Sequence, residues 1–269
     1  MEISNTGKLT SAIPIHTSDL KVLMYHHIVD DRYDMRKYWN CVHVDKFRKH
    51  LEWIERCGFT TITLEDYRLA LNGDISLPKK PIILTFDDGY LNIYKYAFPA
   101  LQEFGMKAVI FVLGDLNRKV NDWSYEEPQA ELMEGRQILE MHLAGFEIGS
   151  HSLTHEKLTQ AAPEMIWKEI YYSRMTIESL LNAPVRTFSY PYGLVNETVK
   201  KMVADAGYLT ACGVYTGPPD FYADQFDIRR ITVYNRTGTL GILIRTCLPY
   251  QHLDWMRMKT KQTLRAEAE

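Results

Sequence analysis

The chain has 269 residues, 46% of them hydrophobic and 24% charged, with 31 Lys and Arg against 34 Asp and Glu for a formal charge of −3. That balance of apolar and charged residues excludes a disordered chain. Near neutrality leaves no general electrostatic pull on nucleic acid or anionic membrane, so neither is an expected partner.

The longest apolar runs, residues 109–113 and 240–244, fall far short of the roughly 20 residues of a membrane helix. Residues 1–18 mix Glu2, Lys8 and other polar residues and hold no apolar core of a signal peptide, so a cytoplasmic protein is expected. Cys41, Cys57, Cys212 and Cys247 lack C-x-x-C spacing and read as reduced thiols rather than a disulfide framework.

In chain order, residues 21–28 read as a strand ending in Tyr25-His26-His27. Residues 44–57 read as a helix, because Phe47, Leu51 and Ile54 share one face and Gly58 follows as a stop. A strand at 59–62 leads to Thr63, the expected N-cap of a helix over 64–71 with Glu65 and Asp66 in its first turn. The continuous apolar run 81–86 predicts a buried strand, followed by a helix over 91–104 that Gly105 closes.

A strand at 107–113 precedes a polar loop over 114–129, then a helix over 132–144 and a strand at 146–149. Pro163 suits a first helical position, and Ile166, Ile170, Ile177 and Leu181 make the apolar stripe of a helix reaching Asn182. Strands at 186–190, 208–214 and 228–233 alternate with helices at 197–206 and 240–247. Such alternation implies a parallel sheet with crossover helices, an α/β chain. Six or more units suit a closed or nearly closed barrel, with a doubly wound open sheet as the alternative.

Three clusters fall at the C-terminal ends of expected strands, where α/β folds place their chemistry. Asp87 and Asp88 follow the 81–86 strand; adjacent carboxylates there are costly unless paired, hydrogen-bonded or metal-bound, although one could simply cap the next helix. His151 and His155 follow the 146–149 strand, and at i, i+4 they share a face if the segment forms a helical turn. One carboxylate and two imidazoles make a three-ligand site with open positions, leaving the second aspartate free as a base. In the third cluster, residues 186–193, Pro191 and Gly193 fix a turn that either aims a backbone N–H at an oxyanion or merely links strand to helix.

Taken together, Thr85-Phe86-Asp87-Asp88-Gly89, His151-Ser-Leu-Thr-His155 and Phe188-Ser-Tyr-Pro-Tyr-Gly193 resemble the polysaccharide deacetylases. These are the NodB-homology enzymes, also called carbohydrate esterase family 4. Leu23-Met-Tyr-His-His-Ile28 and Gly145-Phe-Glu-Ile-Gly-Ser-His151 resemble the branch that holds the poly-N-acetylglucosamine deacetylases. The resemblance implies a distorted, incomplete (β/α) barrel over residues 21–250, with an N-terminal extension (1–20) and a C-terminal tail (251–269).

It also implies a metal-dependent hydrolase that removes N-acetyl or O-acetyl groups from an acetylated sugar or glycan. Asp87 matches the family's base; Asp88, His151 and His155 match its ligands, usually to zinc and in relatives to cobalt or nickel. The backbone N–H of Tyr192 matches the oxyanion donor. Many relatives carry an arginine where this chain has Ser189, and Arg229 or Arg230 is the expected substitute. The family's late histidine, its general acid, is not evident, and His252 is the only histidine after the third cluster.

Tyr25, His26 and His27 are expected on the pocket rim, Tyr190 and Pro191 in its lining, and Trp123 as a ring for stacking on a sugar. Simple packing is the alternative for each of them. The competing readings are a small-amide hydrolase of the same superfamily and a metal- or glycan-binding protein that has lost turnover. A non-haem iron oxygenase also uses two histidines and a carboxylate, but the adjacent aspartate favours hydrolysis.

Overall fold

The computed structural model describes residues 20–32, 37–123, 127, 129–214, 224–247, 250, 253, 256 and 257. The expected N-terminal extension, apart from Leu20, and His252 lie outside the described residues.

The strands are Lys21–Tyr25 (β1), His27–Val29 (β2), Cys41–His43 (β3), Thr60–Thr61 (β4), Pro81–Phe86 (β5), Val109–Val112 (β6), Glu147–Ser150 (β7), Thr187–Ser189 (β8), Thr210–Cys212 (β9) and Ile231–Thr232 (β10). All pairings among them are parallel, in the order β10-β1-β5-β6-β7-β8-β9, with β4 beside the start of β5. β5 is buried at all six positions, as a strand covered on both faces must be, and it stands near the middle of this order. The sheet curls into a half-barrel with flanking helices, an incomplete (β/α) barrel rather than a doubly wound open sheet.

The helices are Val44–Arg56 (α1), Leu64–Leu71 (α2), Phe98–Glu103 (α3), Gly135–Leu143 (α4), Pro163–Leu181 (α5), Glu197–Asp205 (α6) and Thr239–Cys247 (α7). α1 buries Phe47, Leu51 and Ile54, and α2 starts from Thr63 with a reciprocal capping box to Asp66. α5 opens on Pro163 and stops at Asn182, which takes the left-handed conformation with φ 50°.

Three departures from the expected elements have local causes. The single strand expected over 21–28 breaks at His26, after which β2 leaves the main sheet to pair with β3. The single helix expected over 91–104 is instead a π-helical turn, Ile93–Ala97, followed by α3. Pro99 has no N–H to return to the carbonyl of Lys95, and Phe98 donates five residues back to Ile93. The helix expected from 132 begins at Gly135, because Leu132 bridges to Tyr90 and Glu134 then caps the turn with Gln137.

One connection prepares the site. Ile228 pairs with β9, its N–H donating to Ala211 O at 2.9 Å, and three residues later β10 pairs with β1. The chain from Ile228 to Thr232 therefore passes from one edge of the curled sheet to the other, and Arg230 sits in that passage, fully buried.

Candidate active site

β5 ends in Asp87, whose N–H donates to Tyr25 O at 3.1 Å and so continues the register with β1. Asp88 and Gly89 both take φ 72°, which turns the chain sharply. A Cβ on Gly89 would lie 3.1 Å from Val112 Cγ1, so both conformation and space favour glycine there. Among the described residues, the non-glycine positions with positive φ are Asp88, Ser152, His155, Tyr192 and Asn182. Apart from the helix stop at Asn182, every one belongs to the three clusters. Each such conformation costs roughly 1–3 kcal/mol and persists only where its surroundings hold it.

The segment from His151 to His155 forms no helical turn, so the two histidines do not share a helix face; they lie in a loop after β7. A carboxylate from α5 braces this loop. Glu169, buried at 3% exposure, accepts from Leu153 N–H (3.0 Å), Thr154 N–H (2.8 Å) and Thr154 Oγ1 (2.6 Å). Ser152 Oγ accepts the His155 N–H at 3.0 Å. Sequence reasoning misses Glu169, because it lies 14 residues past His155 inside an ordinary helical pattern.

The two imidazoles converge on Asp88. His151 Nε2 and His155 Nε2 each stand 3.2 Å from Asp88 Oδ1, and that buried oxygen makes no well-directed hydrogen bond. One donor atom from each of the three residues lies within 4.8 Å of the others. His151 Nδ1 lies 2.8 Å from Ser189 O, and a carbonyl only accepts, so the proton belongs on Nδ1 and Nε2 keeps its lone pair. One carboxylate oxygen and two imidazole nitrogens, buried and aimed at a common point, fit a divalent metal ion with open positions.

Burial raises the carboxyl of Asp88, but the two imidazoles outweigh it and hold the group well below the ordinary carboxylate range. Burial lowers His151, but Asp88 and Asp87 outweigh it and leave that imidazole raised. For His155 burial prevails over Asp88, and its affinity for a proton is lowered.

Asp87 faces a different partner. Arg230 clamps it with Nη1 to Oδ1 at 2.6 Å and Nη2 to Oδ2 at 2.8 Å. The same guanidinium donates to Thr85 Oγ1 (3.1 Å), Ser189 Oγ (2.9 Å) and Gly213 O (2.8 Å). Ser189 Oγ in turn donates to Asp87 Oδ2 at 3.3 Å. Burial raises the Asp87 carboxyl, yet Arg230 and then His151 more than offset it, so Asp87 is held ionised. Of the two arginines expected as substitutes, Arg230 reaches Asp87, while Arg229 pairs with Asp227.

The remaining expected residues divide. Tyr25 is not on a rim: it is fully buried between Phe47 and Phe86 and donates to His50 Nδ1 at 3.2 Å. Alternation along the strand puts it on the core side. His27 is also buried, stacked on Tyr90 with centroids 3.7 Å apart and with Nδ1 2.9 Å from Asn92 Nδ2. His26 alone of the three stays partly exposed, edge-on to Trp39 at 5.6 Å.

Tyr190 is buried, its hydroxyl donating to Phe226 O at 2.8 Å, and Pro191 is buried beside it. Tyr192, φ 58°, packs edge-on to His155 at 4.5 Å. Trp123 lays one face on the His155 imidazole at 4.6 Å, so that face is taken by protein. Glu127, one acid among many in a polar loop and without a signal of its own in the sequence, accepts from Tyr90 Oη at 2.8 Å and lies 3.9 Å from His27 Nε2.

The model of a family described as polysaccharide deacetylase matches residues 74–211. YxkH of Bacillus subtilis (strain 168), named as a polysaccharide deacetylase, is 30% identical over 218 residues, which is 80% of this chain and 71% of that protein. The poly-beta-1,6-N-acetyl-D-glucosamine N-deacetylase of Escherichia coli (strain K12) is 33% identical over 87 residues, 32% of this chain and 13% of that enzyme.

Among solved structures, the Streptococcus pyogenes deacetylase PplD, in complex with acetate, superposes with a TM-score of 0.73 at 24% identity, covering 84% of this chain and 97% of its own. A de-N-acetylase from Aggregatibacter actinomycetemcomitans superposes with a TM-score of 0.73 at 20% identity, covering 84% of this chain and 99% of its own. Both share the fold described above.

Proposed function

The chain belongs to the polysaccharide deacetylase family, and from that premise we propose that it is a metal-dependent hydrolase that removes acetyl groups from an N-acetylated glycan. One observation carries the reading: an ionised, buried Asp87 clamped by Arg230 stands directly beside the Asp88, His151 and His155 donor set. The two neighbouring aspartates have separate partners and therefore separate duties.

Asp88, His151 and His155 would hold the ion. When bound, a divalent metal, zinc by the family resemblance, supplies Lewis-acid polarisation of the acetyl carbonyl and a water acidified towards a pKa of ~7. Asp87 receives the proton of the attacking water at its carboxylate, and the Arg230 clamp keeps that carboxylate ionised and in one orientation. The turn at Tyr192 presents a backbone N–H to the developing oxyanion, a role implied by the family motif. Trp123 and Tyr192 cover His155 and keep bulk water from that side.

In this reading His26 protonates the leaving nitrogen. It follows Tyr25, whose carbonyl accepts the Asp87 N–H, so the two residues end adjacent paired strands. It is partly exposed while its neighbours Tyr25 and His27 are buried. The products are acetate and a free amine, with the water divided between them.

The test is acetate release from N-acetylglucosamine oligomers by metal-loaded protein, with and without a chelator. Release that the chelator abolishes and added metal restores is the expected result. No release from any acetylated glycan by metal-loaded protein would refute the reading.

A further inference from the structure

Trp39 and Tyr234 keep 43% and 42% of their surface exposed, and their rings stand 5.9 Å apart at an interplanar angle of 54°. Single exposed aromatics need no explanation, but these two adjoin and make one contiguous patch, which is the feature that marks a binding surface. These two are not loosely held. Asn235 N–H donates to Trp39 O at 2.7 Å and Asn235 Nδ2 donates to Tyr38 O at 3.0 Å, which locks the two turns together. Tyr234 is fixed in its own turn by Thr237, with N–H to Oγ1 at 3.0 Å and the Thr237 N–H returning to Tyr234 O at 2.9 Å.

Both rings line one groove of about 730 Å³, a size suited to a small ligand or a sugar unit. The groove adjoins His26, the neighbour of Tyr25 at the end of β1, because Trp39 lies edge-on to the His26 ring at 5.6 Å. Its described lining carries Lys37, Arg236 and Arg245 and no carboxylate.

We propose that Trp39 and Tyr234 form a subsite for a second sugar residue of the glycan, next to the acetylated residue at Asp87, and that this neighbour is an N-acetylated sugar. The proposal rests on the deacetylase reading and adds a length requirement and a chemical preference to it. The apolar face of a pyranose, with its axial C–H groups, packs on an aromatic ring, while the rim of amide and guanidinium donors meets its hydroxyls and acetamide oxygen. A neighbour already deacetylated carries an ammonium, which the cationic rim repels. Substrate is then engaged in stretches that are still acetylated.

The experiment compares kcat/KM for the N-acetylglucosamine tetramer and monosaccharide, the tetramer supplied in β-1,4- and β-1,6-linked forms. The tetramer-to-monosaccharide ratio is expected to fall about tenfold in Tyr234→Ala, mainly through KM of the tetramer, and to be restored in Tyr234→Phe. A ratio equal to wild type in folded Tyr234→Ala would overturn the subsite. Tetramer binding by calorimetry separates this from a failure of the deacetylase reading. Should wild type release no acetate, a tetramer Kd weakened about tenfold by Tyr234→Ala and by Trp39→Ala would still support the subsite. An unchanged Kd, or an equal affinity for the glucosamine tetramer, would overturn it.

Discussion

Arg230, just ahead of the edge strand β10, reaches Asp87 at the end of β5 across the intervening β1, and the two make a buried two-point clamp at 2.6 and 2.8 Å. They are 143 residues apart in sequence, and Ser189 fills the third corner, hydrogen-bonded to both. A small serine at that position leaves room for a guanidinium that arrives from another strand. Because the pair is fully desolvated, its value lies in orientation, and removing one partner strands the other charge.

Arg230→Ala is therefore expected to lower stability by about 3–5 kcal/mol and Arg230→Lys by less, since lysine keeps the charge but not the fork. In folded Arg230→Lys, kcat for acetate release should fall by roughly one hundredfold with KM within a few-fold. Denaturant unfolding and steady-state kinetics on the same preparation check both. A wild-type kcat in Arg230→Lys would show that the clamp does not position Asp87.

Glu169 tests whether the loop that carries the histidines is held from behind. Its carboxylate takes three hydrogen bonds from Leu153 and Thr154, between the two imidazoles in sequence. Glu169→Ala is predicted to weaken metal affinity about 10–100-fold without touching a ligand. Competitive titration against a chromogenic chelator reads this directly, and an unchanged affinity would mean that the loop needs no brace.

His26→Gln separates the two proton transfers. Amide cleavage should slow by roughly one hundredfold or more, while an aryl acetate, whose leaving group departs without a proton, should be hydrolysed at a rate within a few-fold of wild type. Metal content should match wild type. Equal slowing on both substrates would remove His26 from the role of acid.

Two groups away from the site, the buried His50 and the half-buried Glu147, give the stability a pH dependence of opposing signs. Burial pushes His50 down to about 4 from its ordinary 6.5, against the hydrogen bond its Nε2 donates to Thr237 O. Its neutral form is the one the fold accepts, so this contribution, up to about 3 kcal/mol, is full above pH 6.5 and drains away as the pH falls towards 4. Burial pushes Glu147 up to about 7 from 4.5, so its contribution is present below pH 4.5 and is lost as the pH rises through 7. Chemical unfolding across pH 4 to 8 should show Glu147→Gln flattening the loss on the neutral side. If Glu147→Gln follows the wild-type profile, its carboxyl is ionised in the folded state at neutral pH.

Much of the fold is legible in the sequence because strands such as β5 and β6 are continuous apolar runs and helices such as α1 and α5 carry a 3.6-residue stripe. The strand ends are legible for the same reason, which is why Asp87, Asp88, His151 and His155 stand out from the chain by position and residue type alone. What stays hidden depends on contacts distant in sequence. Arg230 can be named beside Arg229 as one of a pair, but only the passage of the chain between sheet edges selects it. Glu169 looks like any polar helical residue until the loop folds over it. Tyr25 goes to the core through the alternation of β1, and the break after it at His26 sets His27 against Tyr90 instead of on the rim. Pro99 is the local signal for the π-helical turn, masked by the strong helical pattern around it.

The most direct test is acetate release by wild type and Asp87→Asn, each loaded with one equivalent of zinc and assayed on an N-acetylglucosamine oligomer. Steady release by wild type, a loss of at least about one hundredfold in Asp87→Asn, and equal metal content in the two are expected. Turnover by Asp87→Asn at the wild-type rate, or loss of its metal along with its activity, would contradict the division of labour between the two aspartates.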